Sequence, residues 1–167
     1  MNSVEDVISY LCERKLSIVT AESCTAGMVT SILTNVPGCA SILEMGYVVY
    51  TEHAKHYYLG VDLQTIKRFG LTSEEVAREM ALGALKRTRA NISLGVTGTA
   101  ESDNELNGVV CFAYAMNIEN ARRVISETLK FEGERNEVRH LAAMHAITSI
   151  PRLHEKFANG EGEIFYD

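Results

Sequence analysis

The sequence predicts an α/β protein with three layers, α/β/α, in which helices cover both faces of a mixed sheet of about five strands. Three observations carry this. Short apolar runs, such as Leu16-Ser17-Ile18-Val19 and Val109-Val110-Cys111-Phe112-Ala113-Tyr114-Ala115, alternate with stretches of helical periodicity. Helices between the early strands impose crossovers, so those strands pair in parallel. The fourth and fifth strands are joined by a link too short for a crossover, so that pair is antiparallel.

The first helix places Val4, Val7, Ile8 and Leu11 on one face, with Ser3 as cap and Asp6 three residues on. A strand follows to Ala21, then a helix from about Cys24 to Val36, stopped by Pro37-Gly38. Cys39 to Leu43 reads as a helical turn, and Gly46-Tyr47-Val48-Val49-Tyr50 as the second strand. Glu52 to Leu59 is helical and carries Lys55; Leu63 to Phe69 is a short helix closed by Gly70. Thr72-Ser73-Glu74-Glu75 reads as a capping box for a helix with Val76, Met80, Ala81, Ala84 and Leu85 on its apolar face. The third strand is Ile92 to Thr97, and a polar loop runs from Gly98 to Asn107. Val109 to Ala115 is the fourth strand, Arg123 to Phe131 an alternating fifth nearer an edge, and a last helix precedes Pro151. Residues 1–157 form a single domain, and the Gly- and acid-rich segment 158–167 is expected to be a mobile tail.

Composition bounds the function. The 167 residues suffice for one sizeable core, and a net charge of −6 argues against nonspecific nucleic-acid binding. No apolar run is long enough for a membrane span. The polar, acidic start Met1-Asn2-Ser3-Val4-Glu5-Asp6 is unlike a signal peptide. The four cysteines, Cys12, Cys24, Cys39 and Cys111, are widely spaced and read as reduced thiols, so a cytoplasmic location is expected.

Chemistry concentrates in Thr20-Ala21-Glu22-Ser23-Cys24-Thr25-Ala26-Gly27, where a strand hands over to a helix. A helix N-terminus offers free N–H groups and a partial positive charge, a corner able to hold an anion or an oxyanion. Ser23 and Thr25 place hydroxyls there and Cys24 a thiol; the plainer alternative makes Ser23 or Thr25 only the helix cap. Thr97 and Gly98 end the third strand, on the side of an open α/β sheet where ligands gather. Arg135 opens a helix, where the dipole disfavours a cation; it either pairs with a substrate phosphate, or pairs with Glu132 or Glu134 or lies at the surface. His53 and His56 with Glu52 lack a second ligand cluster and read as surface residues; no metal and no cofactor are expected.

The ordered motifs resemble the CinA C-terminal domain family. Thr20 to Gly27 is similar to its Ala-Glu-Ser-Cys-Thr-Gly-Gly signature, Val36-Pro37-Gly38 to Val-Pro-Gly-Ser, and Tyr50-Thr51-Glu52-His53-Ala54-Lys55 to Tyr-Ser-Asn-x-x-Lys. Leu59-Gly60-Val61, Ser73-Glu74-Glu75-Val76-Ala77, Thr97-Gly98-Thr99-Ala100 and Phe131-Glu132-Gly133-Glu134-Arg135 follow in the family's order. The resemblance implies hydrolysis of the amide of nicotinamide mononucleotide to nicotinate mononucleotide and ammonia, on a three-layer fold that often dimerises. In that reading Ser23 is the nucleophile, Lys55 the base if burial lowers its pKa, and Tyr50 orients either group. Cys24, Thr25, Thr97, Gly98 and Arg135 bind the pyridine nucleotide, and a homodimer is expected. Two alternatives stand beside it: a nucleotide-binding paralogue without catalysis, and a module active only with a partner chain. The sequence departs from the family after Ala100, where Glu101-Ser102-Asp103-Asn104-Glu105 replaces a Gly-Pro segment; the departure is expected to weaken use of nicotinamide mononucleotide or to shift the substrate.

Overall fold

The computed structural model describes residues 3–166, and its strands alternate between two separate cores. β1 (Ile18–Glu22), β2 (Leu43–Val48), β3 (Ile92–Thr99), β4 (Val109–Ile118), β5 (Ala121–Lys130) and β6 (Glu163–Tyr166) form one sheet in the order β2-β1-β3-β4-β5-β6. β1 runs parallel to β2 and β3, while the β3–β4, β4–β5 and β5–β6 pairs are antiparallel. The link between β4 and β5 is the two-residue turn Glu119-Asn120, with Asn120 at a φ of 58°. This is the mixed sheet of the expected fold class.

Side-chain alternation builds the layers. On β4, Val110, Phe112 and Tyr114 enter one core, and Cys111, Ala113 and Ala115 enter the other. The large side chains meet α1 (Val4–Glu13), α2 (Met28–Thr34), α6 (Arg135–Thr148) and α7 (Ile150–Ala158). Burying one such side chain as fully as Phe112 stabilises by about 1.5–3 kcal/mol. The small side chains meet α5 (Glu74–Lys86), which presents Ala77, Ala81 and Ala84, with α3 (Glu52–Leu59) and α4 (Leu63–Phe69) packed against it. Ser3 and Asp6 cap α1 reciprocally, as the sequence predicts. Among the described residues no helix is long and apolar enough to cross a membrane.

Several expectations are corrected. The segment expected to be a mobile tail carries β6, a sixth strand: β5 exposes an unpaired edge, and residues 163–166 satisfy it. Arg78 Nη1 holds Glu163 at 3.2 Å, and Phe165 packs on the core beneath. A further helix, α7, follows α6, with Pro151 tolerated in its first turn. β2 begins at Leu43, so Val49 and Tyr50 lie beyond its end. The capping box before α5 is a single cap by Ser73, whose Oγ accepts from Val76 N at 3.3 Å. With Ser73 as cap the third helical residue is Val76, which cannot reciprocate, and Glu74 accepts instead from the hydroxyls of Ser126 and Thr128.

Topology brings one set of strand ends together. β1, β2 and β3 point the same way, and two antiparallel steps make β5 point that way too. Ser23, Val49, the loop after Thr99 and the start of α6 therefore share one end of the sheet.

Packing of α3 on α5 sets the height of the helix that carries Lys55. A Cβ added at Gly83 of α5 would overlap the main-chain carbonyl oxygen of Leu59 at the end of α3. Gly83→Ala must displace α3, so it should lower stability by about 1–3 kcal/mol, read as a lower urea midpoint. A midpoint equal to wild type would show that the two helices separate without cost.

Candidate active site

The turn after β1 is organised by Glu22, which is fully buried. Its Oε2 accepts from Thr25 Oγ1 at 2.7 Å, Gly27 N at 2.9 Å and Val29 N at 3.1 Å. Its Oε1 accepts from Thr30 N at 2.9 Å and Thr30 Oγ1 at 2.8 Å. The sequence places the helix start near Cys24 with free N–H groups for an anion; the structure corrects both points. α2 begins at Met28, capped by Gly27 with no side-chain bond, and its leading N–H groups are taken by the Glu22 carboxylate. Neither Ser23 nor Thr25 is the cap. Residues 23–27 are instead a turn, with Ala26 at a φ of 48° and Gly27 at 90°.

That turn lifts Ser23 above the end of β1. Its N–H donates to Val96 O of β3 at 2.9 Å, and Ala26 N donates back to Ser23 O at 3.0 Å. Facing it is Lys55 of α3, only 1% exposed, with Nζ 2.8 Å from Ser23 Oγ. Thr51 caps α3, its Oγ1 accepting from Ala54 N at 3.1 Å. Nζ also donates to two main-chain carbonyls, Val49 O at 2.9 Å and Tyr50 O at 3.0 Å. Burial disfavours the ammonium, lowering the Lys55 pKa to about 8. A neutral amine has two N–H donors and one lone pair. The two carbonyls can only accept, so they take both donors, and the lone pair is left facing the Ser23 hydroxyl.

The remaining sequence-predicted residues divide. The Cys24 thiol is buried among apolar side chains, and burial raises its pKa to about 11, so it stays neutral. Thr25 spends its hydroxyl on Glu22. Thr97 Oγ1 donates to Leu71 O at 2.8 Å, and a Cβ at Gly98 would crowd Val109 O and Val110 Cα of β4. Tyr50 is 54% exposed; it meets Lys55 through its carbonyl, and its phenol oxygen accepts from Arg135 Nη2 at 3.3 Å. Arg135 is exposed and meets Tyr50 through that bond. Of the sequence-predicted residues, Ser23 and Lys55 meet directly. His56 donates from Nδ1 to Val61 O at 2.8 Å, and His53 stacks on Tyr57.

Sequence reasoning overlooked two residues. Glu22 lies within the signature, but its N–H partners are Gly27, Val29 and Thr30, which a helix starting near Cys24 would hold in its interior. Arg139 of α6 donates from Nε to Cys24 O at 2.9 Å and from Nη2 to Thr25 O at 3.2 Å. Its signal was available: Arg139 lies four residues after Arg135, on the same helix face.

These features define an α/β protein with a buried serine–lysine pair at the carboxyl end of its parallel strands. The chain belongs to the CinA C-terminal domain family, whose model matches residues 2–153. It is 41% identical over 138 residues to the CinA-like protein of Chlorobaculum tepidum, covering 80% of this chain and 33% of that protein. Its fold is similar to the crystal structure of the competence/damage inducible protein CihA from Agrobacterium tumefaciens. That comparison has a TM-score of 0.83 and 32% identity, over 90% of this chain and 95% of that one. A CinA superfamily protein from Escherichia coli gives a TM-score of 0.81 at 30% identity, over 91% of each chain. The chain spans about a third of the length of the curated relatives it matches.

Because Glu22 accepts from five donors, Glu22→Gln sets an amide N–H₂ against some of them. It should cost about 2–4 kcal/mol of stability and disorder the Ser23 turn, seen as a lower denaturant midpoint. A midpoint matching wild type would mean that the bonds are replaced by water.

Proposed function

We propose that this protein is an amidohydrolase that converts nicotinamide mononucleotide to nicotinate mononucleotide and ammonia, with Ser23 as nucleophile and Lys55 as base. The observation that carries the chemistry is the buried Lys55 amine, 2.8 Å from the Ser23 hydroxyl and held by two carbonyls. The substrate is carried by family membership and by the motifs quoted above. Ser23 Oγ attacks the carboxamide carbon as Lys55 takes its proton. The oxyanion that forms is met by main-chain N–H groups of the turn after Ser23, Cys24 and Thr25. Lys55 then returns the proton to the amide nitrogen, the C–N bond breaks, and ammonia leaves an ester on Ser23. Water, deprotonated by Lys55, attacks that ester; the carboxylate product departs and Ser23 regains its proton. Arg135, exposed at the start of α6, pairs with the substrate phosphate. The protein acts as a homodimer, without a metal or cofactor.

Ammonia release from purified protein tests the reading. Ser23→Ala should lose on the order of 10⁴-fold or more in kcat with binding retained. Because Lys55 must be neutral to act, kcat/KM should rise about tenfold per pH unit below about 8 and level off above it. Lys55→Arg keeps the charge but holds its proton, so it should be inactive at every pH. A pH-independent rate, or an active arginine variant, would remove Lys55 from the role of base.

A catalytically silent paralogue is the competing reading, and the loop after Thr99 is the observation behind it. Thr99 bonds Thr72, Gly108 N closes on Thr99 O at 2.9 Å, and Ser102 N donates to Asn107 Oδ1 at 2.9 Å. Glu101 is exposed at the same end of the sheet as Ser23. Its charge opposes a phosphate, and Glu101→Gly should raise kcat/KM for the mononucleotide by about tenfold, roughly 1.4 kcal/mol. An unchanged value would place the loop outside the reaction.

A further inference from the structure

Arg139 carries more than a tie between helix and turn. Its three nitrogens are all engaged: Nε on Cys24 O at 2.9 Å, Nη2 on Thr25 O at 3.2 Å, and Nη1 on Asn136 Oδ1 at 3.0 Å. The fork is therefore oriented from its own helix by Asn136, one turn earlier, and grips two successive carbonyls of the nucleophile's turn. No peptide bond among the described residues is cis. In a planar trans peptide the C=O and the following N–H point in opposite directions. Fixing Thr25 O aims Ala26 N–H the other way, and that N–H donates to Ser23 O at 3.0 Å. Fixing Cys24 O likewise aims Thr25 N–H away from α6. The charge of the guanidinium adds to the geometry, because polarising a carbonyl strengthens the hydrogen bond made by the N–H of the same peptide.

We infer that Arg139 is a positioning residue: through the carbonyls of Cys24 and Thr25 it holds the main chain of Ser23 in place and keeps Thr25 N–H aimed as an oxyanion donor. The inference rests on Ser23 being the nucleophile proposed above. Arg139 touches neither Ser23 Oγ nor the reacting atoms, so its effect belongs to the transition state rather than to substrate binding. Losing one oxyanion donor costs about 10²- to 10³-fold in kcat. Lysine offers a point charge in place of a fork and spans one carbonyl at a time, so it should not restore the function.

The test is the rate at which a fluorophosphonate phosphonylates Ser23, followed by mass spectrometry on the full chain. In that step Ser23 Oγ bonds phosphorus, fluoride leaves, and the hydroxyl proton passes to the base. The phosphoryl oxygen takes the place of the oxyanion, so the readout does not depend on which amide is the natural substrate. Arg139→Gln, confirmed folded by its thermal transition and assayed well below it, should label about 100-fold more slowly than wild type. Arg139→Lys should label within a fewfold of the glutamine variant. With a turned-over substrate, kcat should fall and KM stay within about threefold. Should Arg139→Gln fail to fold, Asn136→Ala, which frees the fork but keeps the arginine, should slow labelling by roughly three- to tenfold. Wild-type labelling speed in a folded Arg139→Gln or Asn136→Ala protein overturns the inference. Labelling of wild-type Ser23 without ammonia release from the mononucleotide sinks the substrate reading alone. No labelling of wild-type Ser23 overturns both.

Discussion

A carboxylate with no access to water holds the centre of this molecule. Glu22 ends β1 and accepts from both hydroxyls and all three N–H groups aimed at it by the next eight residues. Removing an ionised carboxyl from water costs several kcal/mol, and hydrogen bonds to the charged form are what offset it. The consequence is geometric. Three of those donors belong to residues 27, 29 and 30, so α2 can begin only where its N–H groups converge on Glu22. The chain between must turn back on itself, and Ser23 stands at the crest of that turn.

The same logic explains why Lys55 is tolerated inside. Its burial works against the folded state in full below the lowered pKa of about 8, and the cost fades as pH rises from there to the ordinary value of 10.5. Two carbonyls and one hydroxyl match the hydrogen-bonding capacity of the neutral amine with nothing left over. The carbonyls come from Val49 and Tyr50, just past the end of β2, where the chain leaves the sheet and its main-chain acceptors are not used in pairing. Stability is lower than an apolar residue would allow, and a site poised near neutral pH results.

Distant parts of the chain are coupled at this end of the sheet. α3 supplies the amine, β3 receives the Ser23 N–H, and α6 grips the turn through Arg139. The height of α3 depends on Gly83, more than twenty residues away in α5, where a side chain would meet Leu59 O. Thr97 and Gly98 belong to this support: one bonds the loop before α5 and the other lets β4 lie close. They shape the floor by what they brace.

Local pattern was enough for much of this. Helical spacing at Val4, Val7, Ile8 and Leu11, the run Ile92 to Thr97, and the short link after β4 specify elements and pairing direction, because periodicity and loop length are properties of neighbouring residues. The motif around Ser23 pointed to a site for the same reason, whereas Lys55 stood out only through the resemblance of the segment from Tyr50 to Lys55 to a family motif. The fate of residues 163–166 was not legible, since a Gly- and acid-rich tail becomes a strand only when an open β5 edge lies beside it. Nor was the start of α2, because its N–H donors are claimed by a carboxylate whose orientation depends on the turn. The meeting of Lys55 with Ser23, 32 residues apart, and of Arg139 with Cys24, 115 apart, was decided by tertiary structure alone. Hydrogen bonds reach about 3 Å, and only the packed sheet and helices bring such residues within that distance.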